Sequence, residues 1–111
     1  MIMIFAGRRP DRCALHVAGH AAYAPKGKDI VCAGVSAILN CLAGTLTVFE
    51  TRGLHTKLNP GDARITCPRS GIVDTLFYAA VIGLIQLANT YPDYIQMRTE
   101  GYFRTEEEES K

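Results

Sequence analysis

Cys32 and His20 lie twelve residues apart in the segment Gly19-His20-Ala21-Ala22-Tyr23-Ala24-Pro25-Lys26-Gly27-Lys28-Asp29-Ile30-Val31-Cys32-Ala33-Gly34-Val35-Ser36-Ala37, which joins a strand end to a helix start. Thiol and imidazole together supply a nucleophile and a base. Asp29 is a suitable N-cap, which makes Cys32 the third helical residue, where unpaired backbone N–H groups and the positive end of the macrodipole favour an anion. A thiol there is biased toward thiolate. His20 ends the preceding strand on the side of the fold where the helix begins, so a short return loop brings its imidazole toward Cys32. Ser36, one helical turn beyond Cys32, shares its face and offers a hydroxyl to the site, while Gly34 leaves room beside the thiol. The backbone N–H groups of Cys32 and Ala33 are candidate oxyanion donors. The residues Ala22, Tyr23, Ala24, Pro25, Lys26, Gly27 and Lys28 form a candidate lid or substrate wall. Spacing alone also fits a buried thiol in a core helix, a turn histidine and a plain helix cap.

The elements that must position these groups follow from hydrophobic period. Residues 1–5 are continuously apolar, as in a buried strand, and Cys13, Leu15 and Val17 alternate as a second strand does, with a turn over residues 8–12. Val31, Val35, Ile38, Leu42, Leu46 and Phe49 then fall at helical spacing, predicting a helix from residue 30 to about 52 with Gly53 as its stop. Residues 54–58 and 63–67 flank Asn59-Pro60-Gly61-Asp62, a hairpin turn in which Pro fixes φ and Gly admits positive φ. Ser70 caps a second helix over residues 71–90, with Asp74 in its first turn and a core face of Val73, Leu76, Phe77, Ala80, Leu84, Leu87 and Ala88. Residues 94–102 form a last strand. The order β-β-α-β-β-α-β predicts an α+β two-layer sandwich, a mostly antiparallel sheet with two helices on one face.

The chain has 111 residues, 48% of them hydrophobic, with 12 Lys+Arg against 11 Asp+Glu. That is one domain, residues 1–105, followed by an acidic solvated tail at 106–111. The apolar fraction excludes global disorder, and 10 Gly and 5 Pro without period exclude a collagen-like chain. Residues 1–105 hold 11 cations against 7 anions, too mild a surplus to predict direct nucleic-acid binding. The second helix approaches bilayer-spanning length, but Asp74 and Gln86 leave only residues 76–85 uninterrupted, the length of a core helix, and its all-round apolarity suits cover by a second subunit. No membrane association is expected. Cys13, Cys32, Cys41 and Cys67 form no CxxC pair and have no zinc-ligand spacing, so no metal site is expected. The apolar start lacks a basic leader, which with free thiols predicts a reducing cytoplasm. His16, His55, Cys13, Cys41 and Cys67 have no comparable setting and read as core or surface residues.

Gly19-His20-Ala21, the spacing of twelve to Cys32, and the run Gly27-x-Asp29-Ile30-Val31-Cys32-Ala33-Gly34-x-Ser36-Ala37 resemble the ribosomal-processing cysteine protease (Prp) family. The first strand, chain length and helix order are similar along nearly the whole chain, while the motif that carries the resemblance ends before residue 38. The resemblance implies a small cytoplasmic endopeptidase, a homodimer without metal or cofactor, that removes an amino-terminal extension from a large-subunit ribosomal protein precursor. It implies Cys32 as nucleophile and His20 as base, with supporting roles for Asp29 and Ser36. Members in phage-related settings make a virion protein an alternative substrate. The sequence departs from a triad in offering no obvious residue to orient His20, and the acidic tail and Cys67-Pro68-Arg69 are not part of the motif that carries the resemblance. From another class, a ribosome- or assembly-associated binding module would use the same sheet and helices without turnover; a thiol redox role lacks a resolving Cys near Cys32.

Overall fold

The computed structural model describes residues 1–103, so the acidic stretch at 106–111 lies outside the described residues. The elements are β1 (Ile2–Arg8), β2 (Arg12–Ala18), α1 (Ile30–Val48), β3 (His55–Asn59), β4 (Asp62–Pro68), α2 (Gly71–Thr90) and β5 (Ile95–Glu100). This is the expected order. The strands form one sheet, β3-β4-β2-β1-β5, in which three neighbouring pairs are antiparallel and β5 lies parallel to β1.

Period-two burial puts Ile2, Ile4 and Ala6 of β1, Cys13, Leu15 and Val17 of β2, and Ala63, Ile65 and Cys67 of β4 on one buried face. Register aligns them across the sheet, with Ile4 opposite Val17 and Leu15 opposite Ile65. The helices cover this face with Val31, Val35, Leu39, Leu42 and Leu46 from α1 and Val73, Phe77, Ala80, Val81 and Leu84 from α2. Glycines let the two helices approach: a β-carbon at Gly83 would stand 3.1 Å from Ile38 Cδ1, and one at Gly34 would stand 3.3 Å from Leu87 Cδ1. The result is the two-layer α+β sandwich that the patterning predicts.

The ends of β1 and α1 differ from expectation. β1 runs on to Arg8 because Ala6 and Gly7 keep partners on both sides, Leu15 and Ala14 of β2 and Thr99 and Glu100 of β5. α1 stops at Val48, short of residue 52, because Glu50 takes the left-handed conformation at φ 51°. Thr51 N–H then donates to Leu46 O and Glu50 N–H to Thr47 O, the paired bonds of a Schellman stop built without glycine. Phe49 is therefore the cap, 59% exposed, and Leu39 takes the place on the buried stripe that Ile38 only half fills. On α2, Val81 is fully buried while Leu76, Leu87 and Ala88 are only partly so.

All five residues of the edge strand β3 are exposed. The helical layer does not close over this edge, and a cleft opens between α1 and the β3–β4 hairpin.

Candidate active site

Asp29 organises the start of α1. One carboxylate oxygen accepts the N–H groups of Val31 and Cys32 at 3.0 and 2.9 Å, an N-cap that satisfies two otherwise orphan donors. The other oxygen accepts the N–H groups of Tyr23 and Ala24 at 3.0 and 3.4 Å, tying the preceding loop to the helix. These bonds, led by that from Cys32 N–H, hold the Asp29 carboxyl below the ordinary aspartate range. The side chain thus fixes helix start and loop together.

Cys32 is half-buried in the first turn of α1, and its sulfur accepts the Ala21 N–H at 3.4 Å. That contact aims a backbone donor at the sulfur from the loop before α1. The expected oxyanion donors are engaged within the helix start: Cys32 N–H donates to the Asp29 carboxylate, and Ala33 N–H donates to Asp29 O at 3.0 Å. Ala21 N–H is the backbone donor that points at the sulfur.

His20 and Cys32 line one cleft of about 950 Å³. No hydrogen bond joins them, and among the described residues neither ring nitrogen of His20 has a hydrogen-bond partner. The far edge of the ring rests instead on the β3–β4 turn, where a β-carbon at Gly61 would lie 2.7 Å from His20 Nε2. Asp62 also lines the cleft but is committed elsewhere, to His16 at 3.2 Å, Lys57 at 3.0 Å and Arg64 at 3.5 Å. It does not orient His20.

The remaining residues divide. Ala33 and Ser36 line the cleft, as do Ala22, Ala24, Lys26, Gly27 and Lys28. Tyr23 turns away, with its ring edge-on to Tyr91 and Tyr94 at centroid distances of 5.8 and 5.1 Å. Pro25 shapes the loop through its carbonyl, which accepts Lys28 N–H at 2.9 Å. Gly34 does not leave room beside the thiol; it faces Leu87 of α2. The loop is therefore anchored at its Tyr23–Ala24 end by ring contacts and by Asp29, rather than free along its length.

The wall made by Leu58, Asn59, Pro60, Gly61 and Ala63 has no counterpart in the sequence reading. Its signal was the turn sequence itself, combined with a strand order that sets β4 beside β2 and hence beside His20. Cys13 and Cys67 are poor nucleophiles, fully buried with thiols raised by burial, while Cys41 is exposed on α1 away from the cleft walls. Among the described residues no three His, Cys, Asp or Glu side chains group to hold a metal ion.

A family model described as cysteine protease Prp matches residues 1–96. The ribosomal processing cysteine protease Prp of Mycoplasma genitalium is 36% identical over 87 residues, which cover 76% of this chain and 85% of that protein. Its counterpart in Mycoplasma pneumoniae is 31% identical over 90 residues, covering 78% and 86%. The fold superposes on the crystal structure of an essential ribosomal processing protease Prp from S. aureus with a covalently linked product peptide, at a TM-score of 0.75 and 19% identity, covering 89% of this chain and 99% of that one. It also superposes on SMU.848 from Streptococcus mutans at a TM-score of 0.72 and 28% identity, covering 90% and 94%.

Proposed function

The chain belongs to the cysteine protease Prp family, and from that premise we propose that it is an endopeptidase that removes the amino-terminal extension of a large-subunit ribosomal protein, with Cys32 as nucleophile and His20 as general base. The observation that carries this reading is the Cys32 sulfur in the first turn of α1, accepting the Ala21 N–H in the same cleft as His20. His20 takes the Cys32 proton, and the thiolate attacks the scissile carbonyl carbon. As the tetrahedral intermediate collapses, the imidazolium protonates the leaving amine and a thioester to Cys32 remains. Water, deprotonated by His20, attacks the thioester, and the released thiolate recovers the proton. Ala21 N–H is the donor best placed to stabilise charge beside the sulfur.

The cleft walls of Val17, Val35, Leu39 and Leu58 suit apolar side chains of an extended peptide, which the loop from Ala22 to Lys28 would flank. Binding then requires the Cys32 thiol to turn into hydrogen-bond reach of the His20 ring, a tightening common when substrate arrives. The outward apolar residues Ile72 and Ile82 of α2 and Val48 and Phe49 at the end of α1 fit cover by a second copy, as a homodimer. With a ribosomal protein as substrate, the reaction is expected in the cytoplasm.

Incubation of the protein with a ribosomal protein precursor, followed by mass spectrometry, is expected to give a single product that lacks the extension. An intact precursor after prolonged incubation would rule out this substrate.

A further inference from the structure

The hairpin turn that joins β3 to β4 reaches across the cleft to the base. Gly61, at φ +75°, occupies the position of this Pro-Gly turn that needs a left-handed residue. That explains a glycine or asparagine but not why the space above it is filled. A β-carbon there would fall 2.7 Å from His20 Nε2, 3.3 Å from Cε1 and 3.5 Å from Cδ2, so the outer edge of the imidazole occupies the place that a side chain would take. The backbone is tied at the same point, because Gly19 N–H donates to Gly61 O at 2.9 Å, immediately before His20. With no hydrogen-bond partner for the ring among the described residues, this seat and this bond are what the fold provides to hold the histidine.

We infer that Gly61 is a positioning residue for the general base: the bare turn at the tip of the β3–β4 hairpin seats the imidazole of His20, and a side chain there displaces it from the cleft. The inference rests on His20 being the base, and it gives the hairpin a part in catalysis without contact with the reacting atoms. It also accounts for the missing orienting carboxylate, since a steric seat limits the ring's rotation as a hydrogen bond would.

The test is Gly61→Asn, because asparagine tolerates the left-handed turn while its β-carbon enters the seat. Gly53→Asn is the control: Gly53 is also left-handed, at φ +72°, and a β-carbon there would meet a ring atom, Pro68 Cγ, at 2.7 Å, but it lies outside the cleft walls. Gly61→Asn is expected to lower kcat on the order of 100-fold with KM retained, the scale set by a small misplacement of a catalytic group. Gly53→Asn should cost stability alone. Added to His20→Ala, Gly61→Asn should cost nothing further in kcat. In the unmutated protein, NMR should show a nuclear Overhauser effect between Gly61 Hα and the His20 ring protons, a readout independent of whether any variant folds. A folded Gly61→Asn with full activity, an additive loss in the double variant, or absence of that effect would overturn the seat. Full activity of His20→Ala alone would instead remove the base assignment on which the seat depends.

Discussion

Cys32→Ala is expected to reduce peptide hydrolysis by on the order of ten thousand-fold or more, the scale on which loss of a covalent nucleophile acts. The change deletes one sulfur from a half-buried site whose backbone is held by Asp29, so fold and peptide affinity should persist. Loss should therefore appear in kcat rather than in KM. His20→Ala should approach the same floor, because without a base the thiol is neither deprotonated in place nor able to pass a proton to the leaving amine. The two losses should not add, since the residues act in one step. Progress curves for a peptide spanning the extension, run with the unmutated protein and with the single and double variants, check all three statements. Residual hydrolysis in Cys32→Ala within tenfold of the unmutated rate, on the order of 1 kcal/mol in barrier, would assign the nucleophile elsewhere.

Asp29→Ala should produce the next largest loss, on the order of 100-fold in kcat/KM, through displacement of the groups that its carboxylate ties together. One oxygen caps the turn that carries Cys32, and the other holds Tyr23 and Ala24. Asp29→Asn separates the two duties. Its amide oxygen can still cap α1, but its NH2 group cannot accept from the loop. Asparagine should thus preserve most of the thermal stability while losing much of the activity, and alanine should lose both. The same carboxylate sets an acid limit. Its folded pKa is depressed, chiefly by Cys32 N–H, so its contribution to stability is complete above the unfolded aspartate pKa and is lost as pH falls through the lower folded value. Thermal unfolding followed toward acid should show that loss in the unmutated protein and a flatter profile in Asp29→Asn. Equal profiles would mean that the carboxylate charge does not hold the loop.

Most of the framework was legible because it is local. Hydrophobic period fixed the order of all seven elements, and Asp29 and Ser70 mark helix starts through side chains that accept N–H groups of the first turn. The end of α1 was not legible, because its left-handed stop is Glu50 and glycine is the usual marker. The parallel pairing of β5 with β1 is a long-range outcome that alternation alone does not encode. The site divides along the same line. Cys32, His20, Asp29 and Ser36 fall in one short segment whose motif resembles a family, whereas the wall from the β3–β4 hairpin is sequence-distant and emerges only from strand order. Gly34 shows how spacing misleads, since its missing β-carbon serves Leu87 on the neighbouring helix rather than the thiol two residues away.

The most direct measurement of whether Cys32 is the nucleophile is its rate of alkylation near neutral pH, resolved by peptide mapping against the other three thiols. Cys41 is exposed and serves as an ordinary accessible thiol, while Cys13 and Cys67 are buried. A half-buried Cys32 that nevertheless reacts fastest, and slows in His20→Ala, is the predicted result, because only thiolate character can outweigh its lower exposure. Alkylation of Cys32 no faster than that of Cys41 would contradict an activated nucleophile at the start of α1.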